Sequence, residues 1–162
     1  MTKLILTITS LLVGLVAKAQ VSENRNVSDF WKLKASQGIE VLYTVSNSNS
    51  IKVETDDNER LQMIKTEVEG ETLKIFVDTE NGKKPKSKKW NKRTINGVRF
   101  NVIKVYVSGK SLSEIKASSS ASIKIQNLNA TERLEVAASS SGSVSGNFEC
   151  ADFKADVSSS GG

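Results

Sequence analysis

The chain has 162 residues, of which 38% are hydrophobic and 25% charged, with a formal net charge of +5. That length suits one domain, and that balance supplies enough apolar surface for a packed core and excludes wholesale disorder. There is no histidine, which removes the commonest general base and a favoured zinc ligand, and the single cysteine, Cys150, has no partner for an internal disulfide.

The first 19 residues read as an export signal. Lys3 gives a short positive start, Leu4 to Val16 form an apolar run, and Ala17-Lys18-Ala19 matches the small-x-small cleavage pattern before Gln20. The run is too short for a membrane span, so no transmembrane helix is expected in the mature chain. The protein is therefore expected in the periplasm, on the outer-membrane surface or outside the cell. Removing Lys3 and Lys18 with the signal lowers the net charge to +3.

The mature chain begins with alternating segments. "FWKLKA" at 30–35, "IEVLYTV" at 39–45 and "IKVET" at 51–55 show the two-residue period and β-branched content of strands, with a "SNSNS" turn cluster at 46–50. "TDDNERLQMI" at 55–64 carries an Asp cap signal and predicts one or two helical turns. "KTEVEG" and "ETLKIFVD" predict a hairpin or tight corner at Gly70-Glu71, and "VRFNVIKVYVSG" at 98–109 a further strand with Ile103, Val105 and Val107 on one side.

Between these strands, "GKKPKSKKWNKR" at 82–93 holds Lys83, Lys84, Lys86, Lys88, Lys89, Lys92 and Arg93 with no acid, together with Pro85 and Trp90. A run of like charge repels itself and will not pack, which predicts an exposed loop. The loop either contacts an anionic partner electrostatically or keeps a sheet edge from aggregating. Such a partner would be an acidic glycan, a lipid head group or nucleic acid, and for an exported protein an acidic envelope polymer is expected rather than nucleic acid. Trp90 would stack on a sugar or anchor the loop.

Three serine triplets, 118–120, 139–141 and 158–160, recur at offsets of 21 and 19 residues, and their flanks align with them. One alternate column reads Ile115, Ala117, Ser119, Ala121, Ile123 and Ile125. The next copy reads Leu134, Val136, Ala138, Ser140, Gly142 and Val144, and the third Phe153, Ala155, Val157, Ser159 and Gly161. The opposite column is polar except for Ala137. A linker or stalk would show no such period. The columns predict an all-β fold: a right-handed parallel β-helix-like solenoid with coils of about 20 residues, following more irregular N-terminal strands. The outward serines Ser118, Ser120, Ser139, Ser141, Ser158 and Ser160 are either corner and solvent-face residues or a hydroxyl strip that contacts a ligand.

These features together resemble the bacterial head GIN domain family, also called "putative auto-transporter adhesins" and frequent in Bacteroidota. The residues that carry the resemblance are Phe30, Gly38-Ile39-Glu40-Val41, Asp56-Asp57-Asn58, Leu73-Lys74-Ile75 and the three triplets, over 27–162. The triplets read Ser-Ser-Ser-Ala or Ser-Ser-Ser-Gly where the family has Ser-Gly-Ser-Gly, and the basic loop is unusually charged. The resemblance implies a β-helix-like fold at the cell surface or in the envelope.

The functional expectation is an exported, non-enzymatic module for adhesion or for binding an envelope polymer or glycan, with no cofactor and no metal. The alternative is a carbohydrate-active β-helix lyase or hydrolase, which would need acids gathered in a groove. Its candidates are Asp56, Asp57, Glu59, Glu67, Glu69 and Glu71. The third copy stops before its inward Val, which predicts either a continuation beyond residue 162 or self-association through the open C-terminal edge.

Overall fold

A computed structural model describes residues 20–79 and 94–162. The expected export signal, 1–19, and the basic run, 82–93, lie outside the described residues. In chain order the elements are β1 (Val21–Arg25), β2 (Lys32–Ala35), β3 (Glu40–Val45), β4 (Ser50–Thr55), α1 (Asn58–Met63), β5 (Ile64–Glu69) and β6 (Thr72–Val77). They continue with β7 (Thr94–Ile95), β8 (Val98–Arg99), β9 (Ile103–Gly109), β10 (Glu114–Ala117), β11 (Ser122–Ala138) and β12 (Ser143–Val157).

The fold is all-β. Ten strands form one sheet in the order β1-β4-β9-β3-β11-β10-β2-β6-β5, with β12 alongside β11, and the sheet curls into a half-barrel. β7 and β8 form a separate hairpin. Its turn residues Asn96 and Gly97 both have positive φ, the Asn-Gly signature of a two-residue hairpin. The strand expected at 98–109 is accordingly broken into β8 and β9.

The expected right-handed parallel β-helix-like solenoid after irregular N-terminal strands is not confirmed, because the sheet is mixed. β2–β6, β10–β2, β10–β11, β3–β9, β11–β3 and β11–β12 pair in parallel, while β1–β4, β4–β9 and β5–β6 pair antiparallel. The tight turn at Gly70, whose φ is +59°, can join β5 and β6 only as an antiparallel pair. The parallel pairs all depend on corners or long crossovers.

β11 joins the two walls of the half-barrel. Its first residues pair with β3 (Ile123 with Val41), and its last with β10 (Val136 with Ile115). β12 follows β11 along both parts, pairing Ser143 with Ser122 and Phe153 with Leu134 across a register break between Lys124 and Leu128. These pairings have the same 21- and 19-residue offsets as the serine triplets.

The core fills the concave side. Phe30, Leu33, Ile39, Val41, Tyr43, Ile75, Ile115 and Ile123 are buried there, as strand alternation requires. Burial fades toward β12. Leu134 is buried, Val136 and Val144 are half-buried, and Phe153 and Val157 are exposed. Helix α1 is short and starts as the sequence predicts, with the Asp57 side chain accepting the Arg60 N–H at 2.9 Å. Among the described residues no helix is long and apolar enough to cross a membrane.

Candidate functional site

The serine triplets form stacked corners between the two walls. In each, the second and third serines are left-handed: φ is 50° and 63° at Ser119 and Ser120, 50° and 62° at Ser140 and Ser141, and 47° and 63° at Ser159 and Ser160. Two such residues in succession turn the chain sharply and suspend the alternation of a strand. Ser119, Ser140 and Ser159 were expected in the inward column. They are exposed instead, because the corner swings them outward.

A fourth corner went unread in the sequence. Ser36-Gln37-Gly38-Ile39 has the same conformation, with φ of 61° at Gln37 and 70° at Gly38. Its signal was Gly38, two residues after a serine and just before a strand, but without a serine triplet. Hydrogen bonds stack the four corners. Gly38 donates to the Ser119 carbonyl at 2.9 Å, Ser120 to Ser140 at 2.9 Å and Ser141 to Ser159 at 3.2 Å. The first serines are bonded likewise, with Ser118 donating to Ala35, Ser139 to Ala117 and Ser158 to Ala138, each at 3.0 Å.

The fold thus brings Ser118, Ser139 and Ser158 into one row and Ser120, Ser141 and Ser160 into another. Ser118 and Ser139 are half-buried and the other four are exposed. The row spacing is that of adjacent strands, about 4.8 Å. Gly142 and Gly161 close the corners where the walls meet. A Cβ on Gly142 would lie 2.4 Å from the Ala117 carbonyl oxygen, and one on Gly161 2.2 Å from that of Ala138.

Beside the corners lies a groove of about 720 Å³. Gln37, Gly38, Ser119 and Ser120 form one side, and Thr94 to Asn96 with Phe100 to Lys104 form the other. A Glu40–Lys104 pair, 3.7 Å apart, sits in it. Gln37 is fixed because its Oε1 accepts the Val77 N–H at 2.7 Å. The predicted basic residues Lys83, Lys84, Lys86, Lys88, Lys89, Trp90, Lys92 and Arg93 lie outside the described residues. In sequence, however, Arg93 directly precedes Thr94 at the groove.

Four of the six acids proposed for an enzyme are put to structural use. Asp57 caps α1, and Asp56 Oδ2 accepts the Asn101 N–H at 2.7 Å. Glu69 pairs with Lys74, and Glu71 lies 3.4 Å from Lys32.

The displaced carboxyls are elsewhere, on the outer face. Glu114 Oε1 lies 3.3 Å from Lys34 Nζ and 3.2 Å from Lys116 Nζ, and Lys116 also reaches Glu135 at 3.1 Å. Burial pushes the Glu114 carboxyl up, but bonds from Lys116 and Lys34 outweigh it and hold the group below its ordinary range. Hydrogen bonding from Lys116 lowers Glu135 as well. Both shifts run opposite to that of a general acid. Burial raises the Tyr43 hydroxyl, which donates to the Lys110 carbonyl at 2.5 Å inside the core.

Solved structures resemble this fold. One described as a "putative adhesin" from Bacteroides fragilis superposes with a TM-score of 0.68 at 21% identity, covering 88% of this chain and 61% of that one. A second "putative adhesin", from Parabacteroides distasonis, gives 0.67 at 18%, covering 87% and 54%. A "putative lipid binding protein" from Parabacteroides distasonis gives 0.58 at 24%, covering 85% and 60%. At these identities the shared property is the fold, and the chain spans only 54% to 61% of those proteins' lengths. No match was found among curated proteins. The family described as "Putative auto-transporter adhesin, head GIN domain" matches residues 29–162, and the chain belongs to that family.

Proposed function

We propose that the protein is an exported envelope or surface module that binds an anionic envelope polymer or glycan. The contact surface is the stacked-corner face and its groove, with charge supplied by the basic run. The observation that carries this reading is the junction of the two: the seven cations end at Arg93, next to Thr94 on the groove wall. Ser118, Ser120, Ser139, Ser141, Ser158 and Ser160 supply rows of hydroxyls alongside. The corners act as a short solenoid-like segment that repeats the same polar groups at strand spacing, as an extended polymer would require. Family membership supports adhesion or binding over catalysis.

The test is retention of the 20–162 chain on an immobilised anionic polysaccharide and, in parallel, on vesicles containing anionic lipid. Retention should fall steeply with salt, because exposed lysines and arginines act through screened charge. Replacing Lys88, Lys89, Lys92 and Arg93 by Gln should weaken it. Unchanged retention in that variant would leave the basic run a solubility device and overturn the reading.

A further inference from the structure

Trp31 is 40% exposed although it directly follows the fully buried Phe30. Its backbone is pinned on both sides: the N–H donates to the Glu71 carbonyl at 2.9 Å, and its carbonyl accepts from Ser113 N at 2.8 Å and Ser113 Oγ at 3.2 Å. The indole is therefore held at the surface by a rigid strand start. Its Nε1–H has no hydrogen-bond partner among the described residues.

The ring borders a hollow of about 410 Å³ whose rim includes Ser46, Asn47, Lys110 and Ser111. Lys110 Nζ lies over the Trp31 ring, 5.4 Å from its centroid and 3.5 Å from Asp29 Oδ2, so a ligand stacking on that face moves this exposed ammonium toward its rim. Asp29 is oriented in turn by Asn49, whose Nδ2 donates to Oδ1 at 2.7 Å. The hollow thus joins one aromatic surface to hydroxyls, a carboxamide and an ammonium, with the Asp29 carboxylate holding the ammonium from outside the rim.

We infer that this hollow is a carbohydrate subsite with Trp31 as its stacking platform. A pyranose ring has an apolar C–H side and a rim of hydroxyls that both donate and accept. The indole matches the first, and Ser46, Asn47, Lys110 and Ser111 match the second. A wholly apolar ligand would desolvate Asn47 and Lys110 without replacing their hydrogen bonds. The volume lies near the lower end for ligand sites, which suits one or two sugar units. The site rests on the reading of the protein as an adhesion module but does not involve the basic run.

The test uses the chain with Trp90→Phe, so that fluorescence reports Trp31 alone. It is titrated with cello-, chito- and galacto-oligosaccharides. A saturable change in emission is expected with at least one series, with at least a tenfold loss of affinity in Trp31→Ala measured by calorimetry. Trp31→Phe should bind more weakly than Trp31 but better than Ala. If Trp31→Ala does not fold, Asn47→Ala and Lys110→Ala serve in its place, each expected to weaken binding several-fold. The quadruple Gln variant of the basic run should keep the response, which separates this subsite from the anionic contact. No saturable response with any of the three series, or undiminished binding in the Trp31 or rim variants, overturns the subsite.

Discussion

The Asn129 side chain pairs with both backbone groups of Leu112: Oδ1 accepts the Leu112 N–H at 2.6 Å, and Nδ2 donates to its carbonyl at 3.0 Å. Both residues are fully buried, so the amide substitutes for a missing strand partner. Asn129→Ala would leave a buried N–H and C=O unpaired. It is expected to lower the unfolding free energy by about 2–4 kcal/mol, read from the urea midpoint at constant m-value.

The outer-face ladder of Lys34, Glu114, Lys116 and Glu135 gives stability a defined pH window. Glu114 titrates below its ordinary 4.5 when folded, so its contribution is present above that pH and is lost as pH falls through the folded value. Lys116 titrates above 10.5, chiefly through Glu135, so its contribution is present below that pH and is lost as pH rises through the folded value. Between those limits the ladder contributes in full. Lys116→Met removes one of the two ammoniums beside Glu114 and should move the acid limb of the stability profile to higher pH. An unmoved acid limb in urea melts would show that Lys34 alone sets the Glu114 titration.

The strand content and the offsets that set the β11–β12 register were legible because alternation and the serine triplets are local signals. Ile115, Ala117, Ala121 and Ile123 face the core as their column indicated. The outward turn of Ser119 was not legible, since a left-handed pair looks in sequence like any other serine run. Nor was the antiparallel pairing of β4 with β9 visible, because Ser50 faces Ser108 and Thr55 faces Ile103 across a long stretch of chain that carries no mutual signal. Within the proposed binding surface, the serine rows could be read directly. The groove wall at Phe100–Lys104 and the hollow at Trp31 depend on tertiary contacts alone.

The corners favour glycine at neighbouring positions for different reasons. Ser141 is left-handed at φ 62°, so Ser141→Gly should stabilise by about 0.5–1 kcal/mol and Ser141→Val should destabilise by about 1–2 kcal/mol. At the next residue space, not backbone conformation, sets the demand. Gly142→Ala would drive a Cβ against the Ala117 carbonyl and should cost about 1–3 kcal/mol. Thermal unfolding of the three variants checks the order, and a harmless Gly142→Ala would mean that the two walls can separate at the corner.

The small-x-small pattern Ala17-Lys18-Ala19 predicts cleavage that leaves a mature protein beginning at Gln20. Mass spectrometry of the periplasmic or secreted fraction should find that N-terminus. Recovery of residues 1–19 on the mature protein would remove the argument for export from this segment.

The pairing of early with late strands also sets the order of events in folding. β2 and β3 cannot complete their parallel partners until β10 and β11 exist, and Val45 waits for Asn127, 82 residues further along the chain. Contacts of such long range make folding slow, since loop closure must come before the stabilising contacts form. A nascent chain with this topology stays open while its C-terminal half is still being made. An unfolded polypeptide is the form that can be threaded through an export channel, so a chain with these long-range pairings suits the export that its N-terminal sequence predicts.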